Sequence, residues 1–525
     1  MNILKRFNKQ PQEAKQSIYD FIVANIDTAT GMLQDSSMPL PDDANTEDGN
    51  RLRWVAGGLD GALGHHASPQ SEEESQKQIW QKFMHYVKLP APAEREALYQ
   101  SLIQGHALAN VDNLLRQIRA NREQIDINPV YQLSMWLMRN STHSNGCKFG
   151  IAIAGLLSSA SKSDEVLTLG KHDEFSLYAA VAICNNSEDP NADLWQLAKC
   201  VQGWGRIQLV ERIKSVTDPE LQKWLVLEGF RNNVMYEYLA YHCAVEGDLL
   251  GQLKSKSVDD PLITSASDII SALIIGGPAE SIQDYQPAIE LLKIYLNLVV
   301  EKDTDLQVLI SANQILALAN GVESFRRLAK ADEASRMEIQ KLASTIVNSS
   351  KWQALITQQL HSTDHASFYL AETAARIKDI DTWDYHYAKL QKDPLDSTTW
   401  YHLATKVNAE RIDGLIEFAQ QNLDIASIAT GPADSMGFGA EFKVHHCIDF
   451  LLPALNNFPG KGVSIIRAAL LSPVVRNRNI ALNVLEVWGS DHITSDLVTD
   501  LKKLEQLEVN DQTNQSLQQL LAGLN

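Results

Sequence analysis

Cysteine is scarce. Only five occur in 525 residues, at 147, 184, 200, 243 and 447, and no two form a Cys-x-x-Cys pair. That excludes a disulfide framework, a zinc ribbon and a dithiol redox motif, and it predicts reduced thiols packed as small core residues. Basic charge is also in short supply, with 46 Lys and Arg against 65 Asp and Glu, a formal charge of −19. Acidity on this scale opposes a phosphate backbone, so no nucleic acid partner is expected. No apolar run approaches the roughly 20 residues that span a bilayer. None follows Lys5, Arg6 and Lys9 to form a signal segment either. The expectation is a cytoplasmic chain with no membrane partner.

Reactive-site motifs are equally thin. Gly437-Phe-Gly439 and Gly203-Trp-Gly205 lack the third glycine of a dinucleotide fingerprint. Pro459-Gly-Lys-Gly has no Ser or Thr after its lysine, as a phosphate loop requires. There is no Gly-x-Ser-x-Gly elbow and no His-Glu-x-x-His, and none of the fourteen histidines has a Glu three residues before it, as a di-iron bundle needs. Asp379, Asp381 and Asp384 lack the glycine and terminal glutamate of a calcium loop. His445, His446 and Cys447 are consecutive and diverge around a helix, which predicts core and capping roles. No metal site, cofactor or catalytic residue is expected from these patterns.

What is present is helical period. Phe175, Tyr178, Ala179, Ala182 and Ile183 fall at i, i+3, i+4, i+7 and i+8, and Met235, Tyr238, Leu239, His242 and Cys243 repeat the template. Leu209, Ile213 and Val216 give a shorter version. Each is followed by a second apolar stripe: Leu194 to Val201, Leu221 to Leu225, and Leu249 to Leu253. Gly170, Gly203 and Gly229 punctuate the pairs at spacings of 33 and 26 residues, in or near the range of paired-helix repeats. The glycines suit left-handed C-caps, and Asp173 and Asn232 suit N-caps. No window alternates with the period of a strand. The expected fold is all-α, an α-solenoid of paired antiparallel helices resembling a HEAT or armadillo superhelix. Its parts are an N-terminal helix and linker (1–48), a helical region with a Gly-rich segment (49–144), HEAT-like repeats (145–290), irregular repeats (291–428), and a C-terminal unit with a polar capping helix from Asp496 to Leu521 (429–525).

Two places carry more chemistry than folding demands. Arg51 to His66 mixes glycines at 57, 58, 61 and 64 with Asp60, His65 and His66. Each glycine weakens a helix by roughly 1 kcal/mol relative to Ala, so a helix here requires close packing or backbone approach. His65 and His66 are adjacent and cannot face one metal. The other place is the inter-helix turns, with His172 beside Asp173 and Glu174, then Trp204 and Arg206, then Phe230, Arg231, Asn232 and Asn233. Lined along one edge, they would form a polar and aromatic ladder of the kind on which a protein or peptide partner docks. The candidate binding surface is therefore Asp60, His65, His66, His172, Trp204, Arg206, Arg231 and Asn232.

These same stretches carry a resemblance. Arg51 to His66, His172-Asp-Glu-Phe, Gly203-Trp-Gly-Arg, Gly229-Phe-Arg-Asn, Gly276-Gly-Pro, Thr430-Gly-Pro-Ala-Asp and Ser472 to Asn479 look like motifs of a bacterial family often labelled limonene hydroxylase, which itself resembles HEAT-repeat proteins. The resemblance spans nearly the whole chain. It implies a helical-repeat architecture, and its label implies a monooxygenase acting on a monoterpene. Such an enzyme needs haem, flavin or non-haem iron. The family offers no catalytic residue to carry over. The leading expectation is a HEAT-like scaffold that binds a protein or peptide and has no catalysis of its own, with the monooxygenase as the alternative.

Overall fold

The computed structural model describes residues 16–42, 54–66, 73–157, 163–300 and 305–524. Among them are 29 α-helices, joined by turns and short 3-10 segments. The only β contacts among the described residues are two isolated bridges, Ile26 with Leu33 and Ser435 with Val474. No described helix is long and apolar enough to cross a membrane. The chain divides into two compact units, and along the described chain the boundary falls between Trp352 and Gln353.

Helix starts follow local chemistry. Asp189, Asp218 and Asp259 each accept a hydrogen bond from a backbone N–H of the first turn, and each stands before a proline in that turn. An acidic cap satisfies a donor that has no helical partner, and proline removes one that would have had none. The cap expected at Asp173 is one residue earlier: the His172 ring accepts from Glu174 N–H, which leaves Asp173 as the first helical residue. Asn232 caps no helix. Its Oδ1 accepts from Val234 and Met235 N–H and closes a turn. The stripe from Met235 to Cys243 is also broken, into a 3-10 turn at Tyr236–Tyr238 and a helix at Ala240–Glu246.

The expected left-handed glycine caps are absent at 170, 203 and 229, none of which has positive φ. Close approach explains the first two. A Cβ on Gly170 would lie 2.8 Å from Ala179 Cβ and from Leu197 Cδ2, and one on Gly203 would lie 2.5 Å from an Asp173 carboxylate oxygen. The polar helix expected over Asp496 to Leu521 is two helices, Ser495–Leu507 and Asp511–Gly523. It breaks where Glu508 turns to Arg478 and Asn510 caps the next helix.

In the first unit the apolar stripes bury Phe149, Phe175, Phe230 and Tyr295 completely or nearly so. The second unit has its own core around Trp400, Leu403, Ile448, Leu451, Ile465, Leu485, Leu501 and Leu517. Each such side chain contributes roughly 1.5–3 kcal/mol by leaving water, so the stripes fix the helix faces. Cys147, Cys243 and Cys447 are free thiols in these cores.

Candidate functional site

In the first unit, much of the chemistry singled out above converges on one buried locus. The Gly58–His66 helix sits on the indole of Trp204. A Cβ on Gly61 would fall 2.2 Å from Trp204 Cε3, and one on Gly57, whose φ is +69°, would fall 2.5 Å from the Asp173 carbonyl oxygen. The glycine-rich face is therefore a seat for an aromatic ring and a neighbouring backbone, the close packing a helix this rich in glycine requires.

Asp60 reaches inward from this helix. Its Oδ2 accepts from Lys148 Nζ at 2.7 Å and from Tyr178 Oη at 3.1 Å. Lys148 also pairs with Glu174 Oε1 at 2.5 Å, while Glu174 Oε2 accepts from Gly57 N–H at 2.7 Å. Burial pulls the Lys148 ammonium down, but Glu174 and Asp60 outweigh it and hold its pKa above the ordinary value. Tyr178 is pushed well above its usual range, by burial first and then by the Asp60 charge. Neither group is poised to give or take a proton near neutrality; the cluster holds charge in place.

His172 and Asp173 lie beside it. His172 Nδ1 accepts from Glu174 N–H, so Nε2 carries the proton and donates to the Met38 carbonyl at 2.8 Å. Asp173 accepts from Gly205 N–H at 3.2 Å and from Ser36 Oγ at 3.4 Å. Burial is the dominant influence on its carboxyl and pushes it up to about 7, against those hydrogen bonds.

The ladder continues one turn at a time. Arg206 is buried, and its guanidinium donates to the carbonyls of Val201 at 2.8 Å, Glu228 at 3.0 Å and Arg231 at 3.4 Å. The Leu225–Gly229 segment is a wide π turn, and Arg231 Nε donates to its Leu227 carbonyl at 3.0 Å. Arg231 also bonds Ser265 Oγ at 3.2 Å and pairs with Asp268 at 2.9 Å. Burial pushes Asp268 up to about 6, with Arg231 opposing. Asn232 Nδ2 donates to the Phe230 and Met235 carbonyls.

The structure thus joins Asp60, His172 and Trp204 at one locus, and it links Arg206, Arg231 and Asn232 in the next turns. Asp60, His172, Trp204, Arg206 and Asn232 are buried and Arg231 is partly exposed. Instead of presenting a polar face, the ladder spends its donors on neighbouring turns. The side chains of His65 and His66 lie outside the described residues.

The second unit repeats the device at the Ser472 segment. Arg478 is fully buried, forms a bidentate pair with Glu508 at 2.7 Å for both bonds, and donates to the Ser472 carbonyl. His445 Nδ1 meets Asn477 and Ser472, whereas His446 Nε2 meets the Gly437 carbonyl, so the adjacent histidines diverge.

One group that the sequence reading missed also lies in the second unit: Glu372, His386 and His402, a set able to hold a metal ion. Spaced by 14 and 16 residues, they match no local ligand motif, and only the packing of three helices brings them together. No protein-family model matches the chain, and no curated protein is similar to it in sequence.

Proposed function

We propose that the chain is a HEAT- or armadillo-like solenoid of paired helices that serves as a scaffold for a protein or peptide partner. The observation that carries this reading is the relay of side-chain hydrogen bonds between successive turns: Asp173 to Gly205, Arg206 to Glu228 and Arg231, and Arg231 to Ser265 and Asp268. Each turn braces the next one along, which is the nearest-neighbour logic of repeat proteins. Polar residues at the turns are then explained by architecture, and the long outer surface is left for recognition.

Clefts on the described surface of both units carry charged side chains with which a protein or peptide partner can pair. Four of them hold about 650 and 640 Å3 in the second unit and about 560 and 390 Å3 in the first. Charged side chains line all four, for example Arg467, Asp496, Asp500 and Lys503 in the cleft of about 650 Å3.

Affinity capture of the full chain from its native host, followed by reconstitution with each purified candidate, tests the proposal. A stoichiometric complex that re-forms from two purified components is the expected result. Oxidation of limonene by the purified protein with NAD(P)H and dioxygen, without any such complex, would overturn it.

A further inference from the structure

Three consecutive helices of the second unit, His365–Ile377, Trp383–Lys392 and Ser397–Lys406, supply one donor each to a shared locus. Glu372, His386 and His402 bring a carboxylate oxygen and two ring nitrogens within 4.8 Å of one another. His402 Nδ1 lies 3.3 Å from Glu372 Oε1, and His386 Nε2 lies 3.7 Å from the same atom. The second distance is too long for a hydrogen bond. His386 is wholly buried, and neither of its ring nitrogens has a hydrogen-bond partner.

That is unusual for a folded protein. A neutral imidazole carries one N–H and one lone pair, and buried polar atoms almost always find partners. Packing does not meet the need: Phe368 stands edge-on to the His386 ring at 5.2 Å, and the His402 ring stacks on it at 4.5 Å with planes 12° apart. Two imidazoles and a carboxylate are the donor set a transition metal binds.

We infer that Glu372, His386 and His402 form a site for one divalent transition-metal ion of the Zn(II) or Fe(II) class, with the remaining positions left to water. Two nitrogens and one oxygen suit these ions better than calcium or magnesium, which take oxygen ligands. Zinc bonds of about 2.0–2.1 Å in tetrahedral geometry set neighbouring donors roughly 3.3–3.5 Å apart, and both distances to Glu372 fall close to that. A metal lies in the plane of each ligating ring, so coordination takes His386 and His402 out of their parallel stack. Lys406 is the built-in competitor. Its Nζ lies 3.0 Å from Glu372 Oε1 and also donates to Thr382 Oγ1, and with its side chain a third exposed it can swing into solvent. His402 and Lys406 open the locus to solvent, and Phe368, which lines a cleft of about 640 Å3, borders it on another side. The inference stands apart from the scaffold proposal, since a metal of this kind can brace a fold or act on a ligand.

Zn(II) titration of chelator-treated full-length protein by calorimetry tests it, with Co(II) as the optical probe. One ion per chain is expected, with a dissociation constant below about 1 μM. His402→Gln and Glu372→Gln should each weaken binding by about a hundredfold, the upper end of what loss of even an outer-shell partner costs, and should weaken the visible bands of bound Co(II). Lys406→Met removes the competing ammonium and should tighten binding. His386→Ala leaves a cavity and can disturb folding, so the partly exposed His402, checked by circular dichroism, is the deciding position. No stoichiometric binding in the parent chain, or affinity within about threefold of the parent in both His402→Gln and Glu372→Gln, would overturn the assignment.

Discussion

Lys148→Met takes a buried cation from between two carboxylates and keeps the volume of its stem. Asp60 is then a buried anion with Tyr178 Oη as its remaining donor, while Glu174 keeps the Gly57 N–H and is about a quarter exposed. Removing one partner of a buried pair costs about 3–5 kcal/mol, because the other charge is left uncompensated. Glu174 can rehydrate, so the expected loss lies near the low end, about 3 kcal/mol. The two units need not unfold together, and a single global transition is the wrong measure. Hydrogen exchange read on the Ser144–Ala154 and Asp173–Asn186 helices reports the locus directly. A 3 kcal/mol loss corresponds to exchange about a hundredfold faster. Adding Asp60→Asn removes the stranded charge and should restore at least about 1 kcal/mol. Exchange less than about fivefold faster in Lys148→Met, or no recovery in the double variant, would refute the view that this charge triad is dry and mutually dependent.

Two further outcomes follow from the same locus. Gly61→Ala places a methyl inside van der Waals contact with the Trp204 ring; the ring or the Gly58–His66 helix must shift, and a loss of about 1–3 kcal/mol with an altered near-ultraviolet dichroism spectrum is expected. Burial raises the Asp173 carboxyl from its ordinary 3.8 to about 7 in the folded chain. The folded state therefore binds the extra proton between those values, and the group's stabilising contribution is complete below about pH 4 and lost as pH rises through 7. From pH 5 to 8 that loss spans about two pH units, about 3 kcal/mol, and Asp173→Asn should remove it when the two chains are compared over that range.

The helices were legible because a one-sided apolar stripe has no other use: Phe175, Tyr178, Ala179 and Ile183 read as a buried face and are one. The caps were less legible. His172 and Asp173 both suit a helix start, and the choice between them rests on Ser36 and Met38, more than a hundred residues away, which take the carboxylate and the imidazole proton. Gly203 was legible as a turn glycine but for the wrong reason, since the constraint is the Asp173 carboxylate beside it and not a left-handed backbone. Asp60 lay in a segment marked by its glycines, yet Lys148, its partner, carried no signal, standing alone among apolar residues. Glu372, His386 and His402 were invisible for the same reason. A ligand set drawn from three helices has no sequence spacing to read.

Arg206 decides between the two meanings of the turn residues. If it recognised a partner through its charge, lysine would preserve much of that binding and its loss would leave the fold unchanged. The geometry argues otherwise: one guanidinium reaches the carbonyls of Val201, Glu228 and Arg231, the second inside the π turn at Leu225–Gly229 and the third just beyond it, and lies 5.5 Å from the Trp224 ring. A fork of fixed donors can hold three carbonyls at once, whereas an ammonium on a flexible stem cannot reproduce its directions. Burial lowers the Arg206 pKa, so the cation is retained in spite of its surroundings, for the hydrogen bonds it makes. Arg206→Lys should therefore destabilise the first unit by about 1–3 kcal/mol, the cost of buried acceptors left unpaired, and approach the effect of Arg206→Ala. Exchange of the Asp260–Ile275 helix should quicken as well, because Arg231 links that helix to the turn Arg206 holds. A lysine variant as stable as the parent would return Arg206 to the surface of a binding site and remove the brace on which the solenoid proposal rests.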